Sequence, residues 1–265
     1  PRAFLLEAVT RNGFVLGARG GWPPLYGSHR RRLGRFDTVE APFTEDREIV
    51  LRAVTGQGLA LRYAAPSFRR DEAVVLKAIQ SDWMAMEYVA ESLKGDKEFM
   101  LKAVALSARC FPYMEMSLQT NMPFVLRCAA VNGFIVDCYE GSNCPRLEAT
   151  AVQQNGNALQ CVSAASQNDQ ATVLLAVQNR ASSLRFASSA IRRNKSFLYP
   201  LLQTTNGSLL EYVAESLQCD KEFVMEAIKW GGWSMLNYVP SWSALREDPD
   251  VVESGCYLFS HTLCQ

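Results

Sequence analysis

Apolar residues recur along most of the chain as two adjacent pairs, the second beginning four residues after the first. Val74, Val75, Ala78 and Ile79 form one such set, and Phe223, Val224, Ala227 and Ile228 another. This spacing keeps one face of a 3.6-residue helix apolar and leaves the other faces polar. In most copies an Asp or Asn stands three residues before the first pair, where a helix N-cap accepts a hydrogen bond from the first free amides. Glu48, Glu98 and Glu222 follow in the first turn, on the side that the helix dipole favours for a carboxylate. Taken as a marker, that position falls at Pro1, Asp46, Asp71, Asp96, Asn121, Cys144, Asp169, Asn194, Asp220 and Asp248. The intervals are 45, 25, 25, 25, 23, 25, 25, 26 and 28 residues.

Self-similarity confirms the register. Glu87–Phe99 and Glu211–Phe223 agree at eleven of thirteen positions, at an offset of 124 residues or nearly five units. Eleven to thirteen places after the marker comes Gly, often as Asn-Gly: Asn12-Gly13, Asn132-Gly133, Asn155-Gly156 and Asn206-Gly207. Such a pair predicts a left-handed helix end. A second helix is expected next. It carries an aromatic at the seventeenth or eighteenth place (Tyr63, Tyr88, Tyr113, Phe186, Tyr212, Tyr238) and a bulky apolar residue two before it (Leu61, Met86, Phe111, Leu184, Leu210, Leu236). Helices this short are marginal alone, so each unit must pack on its neighbours. The expected fold is all-α, an α-solenoid-like stack of about ten two-helix repeats of ~25 residues. The repeats form a single domain over 1–265. Residues 18–43 are a loop insertion in the first copy and 248–265 a truncated capping repeat.

Units of the form Asp-Lys-Glu-hydrophobic-Val-Leu-x-Ala-Val, then Asn-Gly, then Ala-Leu-x-Tyr-Ala-Ser-x-x-Leu, resemble a helical repeat family known as a domain of unknown function, seen in protist, algal and bacterial proteins. Copies at 46–70, 71–95, 96–120, 169–193 and 220–245 carry the resemblance best. It implies helical repeats serving as interaction surfaces and brings no activity, cofactor or catalytic residue. It also suggests an organelle, plastid or mitochondrion, after removal of a transit peptide, with the cytoplasm as the alternative.

Composition narrows the function. Lys+Arg 27 balance Asp+Glu 27, with 48% apolar and 20% charged residues, which fits a globular chain and speaks against a dedicated nucleic-acid binder. No stretch approaches eighteen uncharged apolar residues, so no transmembrane helix is expected, although a partner could hold the protein at a membrane. The first residues already fit the repeat, so no leader is expected within the given chain. His29 and His261 are the only histidines. No phosphate loop, nucleophile elbow or zinc-protease motif occurs, and the carboxylates follow the repeat as caps and solvated faces, so the chain reads as non-enzymatic with no cofactor or metal.

The eight cysteines mostly obey the register. Cys110, Cys128, Cys138, Cys161 and Cys256 replace residues at expected core positions, where Cys acts as a small hydrophobe. Cys138 and Cys144 flank an irregular loop and could pair in an oxidising compartment. Cys256, His261 and Cys264 are a sparse metal set whose spacings do not share a helix face.

Candidate partner-binding residues fall in two groups. The insertion holds Trp22, Tyr26, Arg30, Arg31, Arg32 and Arg35, either gripping an acidic partner, phosphates or an anionic surface, or forming a solvated loop neutralised by Asp37, Glu40, Glu45 and Asp46. Arg52, Lys77, Lys102 and Arg127 share one register position and predict a basic stripe, either solvated, with Glu48–Arg52 and Glu98–Lys102 as helical pairs, or tracking a polyanion. Trp230, Trp233, Tyr238 and Trp242 predict a C-terminal aromatic cluster that packs and caps the last units, any exposed member instead marking an interface. Arginine-rich 1–35 carries +6, so the remainder carries −6, and a stack would separate a basic head from an acidic tail. The function expected is a structural or scaffold subunit binding other protein subunits, for instance peripherally in a photosynthetic or respiratory complex. The alternative is a module for RNA or an acidic partner, using the 28–35 loop and the stripe.

Overall fold

The computed structural model describes residues 2–11, 44–141 and 144–253, and these are helical with no strand. The chain divides into two compact units, Pro1–Tyr139 and Glu140–Gln265. The insertion at 18–43 and the end of the truncated repeat lie outside the described residues.

In the first unit the long helices α1 (Arg2–Arg11), α2 (Arg47–Gly56), α3 (Glu72–Ser81), α5 (Lys97–Leu106) and α7 (Met122–Val131) pack each on the next. Between them α4 (Glu91–Lys94) and α6 (Met116–Gln119) are single turns. In the second unit the long helices are α8 (Pro145–Gln154), α10 (Gln170–Asn179), α12 (Lys195–Thr204) and α14 (Lys221–Gly231), and the single turns are α9 (Ala164–Gln167), α11 (Ser189–Arg192) and α13 (Glu215–Gln218).

Every long helix starts one residue after a marker. Asp46, Asp71, Asp96, Asn121, Asp169, Asn194 and Asp220 all accept backbone N–H bonds through their side chains, as N-caps do; Cys144 does not. The paired apolar positions are the core: Ile49, Val50, Ala53 and Val54 are fully enclosed, and so are nearly all their counterparts in the following copies. Glu148 takes one of these positions in α8 at 6% exposure. Its carboxylate accepts from the Ser163 amide at 3.2 Å and hydroxyl at 2.9 Å, so the buried charge is hydrogen-bonded.

The expected second helix is instead a 3-10 segment, followed in five of the eight described copies by a single α-turn. Gly58–Tyr63, Trp83–Tyr88, Ala108–Tyr113 and Gly133–Cys138 form a second layer in the first unit; Gly156–Gln160, Ala181–Phe186, Ser208–Glu211 and Trp233–Tyr238 do so in the second. Four to six residues at ~2.0 Å rise span the gap between a long helix and the next turn, and three residues per turn put Gly58, Leu61 and Ala64, or Ala108, Phe111 and Met114, inward together. The aromatic at the seventeenth or eighteenth place ends or follows this segment and is half-buried. Cys138 and Cys161, expected in the core, share that half-buried position.

The glycines also act differently from the expectation. Asn132 and Asn155 are extended, at φ −146°, and their side chains cap the following 3-10 segment through the amides of Phe134 and Asn157. Of the Asn-Gly pairs among the described residues, only Asn206 and Gly207 take the left-handed form, at φ 50° and 71°. Glycine at other copies allows a close approach between repeats. A Cβ on Gly156 would stand 2.5 Å from the Ala176 carbonyl oxygen, and one on Gly58 would meet the Ala78 carbonyl.

Backbone rungs tie each turn to the preceding one: Ala65 to Thr44 and Ala90 to Arg69, both 3.1 Å, Glu115 to Lys94, also 3.1 Å, and Ser188 to Gln167 and Ala214 to Arg192, both 2.9 Å. Ser163, the rung position of its own copy, bonds Glu148 instead. A side-chain clip closes the exposed end of the 3-10 segments. Gln119 donates to the carbonyls of Pro112 and Met114, Gln218 to Leu210 and Glu211, and Arg69 to Arg62 and Ala64. These carbonyls lie at a helix end and would otherwise be orphaned.

Candidate interaction surface

The basic stripe sits on the long helices and is largely neutralised. Arg52 pairs with Glu48 at 3.3 Å within its own helix. Lys102 reaches Glu72 at 2.7 Å and Arg127 reaches Glu98 at 3.4 Å, both on the preceding long helix, so the expected Glu98–Lys102 pair within one helix is replaced by pairs between helices. Lys77 bonds Gln80 at 3.2 Å. The Glu72 hydrogen bond and charge hold the Lys102 ammonium above its usual pKa.

A second ladder, absent from the sequence reading, joins the N-termini of the long helices. Arg47 meets Asp71 at 3.1 Å, Lys195 meets Asp220 at 2.9 Å, and Lys221 meets Asp248 at 2.9 Å. In each case the first residue of one helix pairs with the cap of the next. The signal was present as a basic residue directly after the marker. Burial pushes the Asp71 and Asp220 carboxyls up, but the amides that they cap and their basic partners outweigh it and hold both below the usual value of 3.8.

On the 3-10 layer the cations rest on rings instead. The Arg62 guanidinium lies 4.7 Å above the Tyr63 ring and 6.0 Å from Tyr88, and Arg185 lies 4.6 Å above Phe186. Arg109 lies 5.4 Å over Trp83, which also packs edge-on against Tyr113 at 6.2 Å. These three arginines are exposed, and among the described residues no carboxylate comes within 4.0 Å of them. Burial and then Glu87 push the Tyr88 phenol up; for Tyr212 the Glu211 hydrogen bond comes first and burial second. The dipeptides Arg62-Tyr63 and Arg185-Phe186, each followed one repeat later by Glu-Tyr, could have been noticed in the sequence.

Large apolar side chains stand exposed in both units. Met84, Leu106 and Val131 do so at the C-terminal ends of long helices or just beyond them, and Met116 is 69% exposed at the start of α6. The C-terminal aromatics do not form the expected packed cap. Trp230, Trp233 and Trp242 are exposed, Trp242 by 69%, and only Tyr238 is half-buried. Trp242 takes the register place of Ser92, Ser117 and Ser216, which is exposed in those copies as well.

Other chemistry is sparse in the described part. Cys110 and Cys128 are buried as expected, and burial pushes their thiols up to about 12 and about 11. Cys138 and Cys144 are free thiols rather than a disulfide. Among the described residues no three His, Cys, Asp or Glu gather as a metal site. Two open clefts of about 300 and 320 Å³ share Gly56; their ionisable lining residues, Asp82 and Arg52, are engaged by the Met84 amide and Glu48. Trp22, Tyr26, His29, Arg30, Arg31, Arg32, Arg35, Cys256, His261 and Cys264 lie outside the described residues. No described helix is long and apolar enough to cross a membrane.

No curated protein and no solved structure matches the chain. One family model does, twice: residues 46–94 and again 204–252 are similar to a repeated unit described as Domain of unknown function (DUF4116).

Proposed function

We propose that the chain is a non-enzymatic helical-repeat scaffold that binds other protein subunits of a larger assembly. The observation that carries this reading is the set of exposed large apolar side chains, Met84, Leu106, Met116 and Val131 in one unit and Trp230, Trp233 and Trp242 in the other. Isolated exposed apolar residues are ordinary, but three exposed tryptophans within thirteen residues are costly to leave in water and are enriched where proteins meet. The pairing of Arg52, Lys102 and Arg127 with glutamates weakens the competing reading, in which the stripe tracks RNA.

Purification of the natively expressed chain under mild conditions, with identification of what accompanies it, tests the reading. A fixed set of protein subunits that survives moderate salt and is lost on Trp230→Ala/Trp233→Ala/Trp242→Ala is expected. A partnerless monomer, or a chain that recovers nucleic acid released by salt, would overturn it.

A further inference from the structure

Arg62 and Arg185 occupy the same register position, one residue before the aromatic that ends each 3-10 segment. Both lie over that aromatic, and one repeat later stands a Glu-Tyr pair, Glu87-Tyr88 or Glu211-Tyr212. Arg62 lies 6.0 Å from the Tyr88 ring, and Glu211-Tyr212 stands at the matching place one repeat after Arg185. A stacked arginine followed one repeat later by Glu-Tyr is therefore present twice, once in each unit, the arginines 123 residues apart and the Glu-Tyr pairs 124.

Stacking uses the face of a guanidinium and leaves its N–H edge free. Each ring holds the planar fork in place, so part of the ordering cost of binding has been met before a ligand arrives. The fork geometry matches a carboxylate with two parallel hydrogen bonds. Among the described residues neither Arg62 nor Arg185 has a carboxylate in reach, whereas Arg52, Lys102 and Arg127 on the other layer all do. The neighbouring Glu87 and Glu211 make these surfaces poor tracks for a continuous phosphodiester chain. One guanidinium framed by half-buried rings suits a single acidic side chain flanked by apolar ones, the composition of an interface hot spot.

We propose that each unit carries a docking platform for an acidic segment of a protein partner, Arg62 with Tyr63 and Tyr88 in the first unit and Arg185 with Phe186 and Tyr212 in the second. The proposal deepens the scaffold reading and rests on it for the existence of a partner. It adds the chemistry recognised, the place, and a stoichiometry of two acidic segments per chain.

Selection of random displayed peptides on the full-length protein, followed by calorimetric titration of the enriched ones, tests it. Enrichment in Asp or Glu beside apolar residues is expected, with two peptides bound per chain. Arg62→Gln and Arg185→Gln should each leave one, and the double variant should lose affinity by roughly tenfold or more. The thermal midpoint should fall only by the few degrees that losing a surface stacking contact costs. If Arg62→Gln unfolds, Arg62→Lys keeps the charge without the fork and should weaken binding in the same way. No enriched peptide, enrichment without acids, a wild-type stoichiometry of one, titrations that ignore the variants, or displacement of the peptide by a single-stranded oligonucleotide would each overturn it. A natural partner that still co-purifies with the double variant would sink the platforms and leave the scaffold reading standing. Absence of any partner would sink the scaffold reading, while the peptide titrations still decide the platforms.

Discussion

On the long helices Arg52, Lys102 and Arg127 each reach a glutamate, whereas on the 3-10 segments Arg62, Arg109 and Arg185 rest on aromatic rings with no described carboxylate within 4.0 Å. The two layers share one core and one register, so the difference comes from what each surface position faces. Side by side, long helices bring Lys102 and Arg127 to an acid in the first turn of the preceding long helix, while Arg52 finds its acid in its own. The 3-10 segments place Arg62 and Arg185 beside the ring that closes their own segment, and Arg109 over the ring that opens the segment of the previous copy. Charge that is paired within the protein adds to cohesion between copies, while charge stacked on a ring keeps its hydrogen-bonding edge available. Position along the repeat, more than net charge, separates the cohesive surface from the surface free to bind.

The strongest way to break this comparison is to ask whether the 3-10 layer is structural at all. Phe99 on α5 and Phe111 on the 3-10 segment are both about 1% exposed. Phe99→Ala and Phe111→Ala should each cost about 3–5 kcal/mol in chemical denaturation, because each leaves a cavity in the shared core. A cost for Phe111→Ala below about 1 kcal/mol would mean that the second layer merely drapes over the first.

Next in size are the caps. Asp96 caps α5, and Asp220 caps α14 and also holds Lys195. Each Asp→Ala change should cost about 1 kcal/mol through the lost cap, and Asp220→Ala should cost more than Asp96→Ala because it also releases Lys195. Equal losses would show the ladder between helix ends to be inert.

The same carboxyls set the acid limb of stability. Asp71, Asp169, Asp220 and Asp248 are all held below the usual 3.8. A depressed folded value stabilises fully above the unfolded value and is lost as pH falls through the folded one, so stability should hold at pH 5 and decline below about pH 4. Lys102, Lys195 and Lys221 are raised above 10.5, and their contribution should persist below that value and fade above it. Denaturation midpoints across pH should show both limbs, and the acid limb should flatten in Asp220→Asn.

The smallest effects sharpen the comparison on the surface. Arg127→Gln removes an exposed pair and should cost about 0.2–1 kcal/mol, diminished by salt. Arg62→Gln should cost about 0.5–1 kcal/mol and respond less to salt, since its partner is a ring. Reversed salt dependences would contradict the division between layers.

Much of the fold was legible in the chain alone. The Asp and Asn markers locate the helix starts because capping is a local hydrogen bond between a side chain and amides two or three residues on. The apolar pairs locate the core because helical period is local as well. Legibility failed where the partner lies one repeat away or across a turn. Gln119 and Gln218 look like ordinary polar residues until the carbonyls that they close are in view, and Glu148 looks like a solvated acid until Ser163 covers it. Candidate site residues were harder still. The stripe was visible as a register, but its neutralisation by Glu72 and Glu98 was not.

The sequence by itself determined the 25-residue register, the helix starts and the inward face, because these depend on contacts within about four residues. Only the tertiary structure decided that the second element is a 3-10 segment, that Gly58 and Gly156 make room for a neighbouring carbonyl, and that Trp230, Trp233 and Trp242 face outward. Each of these depends on how closely one copy approaches the next, a distance that no periodicity within a single copy encodes.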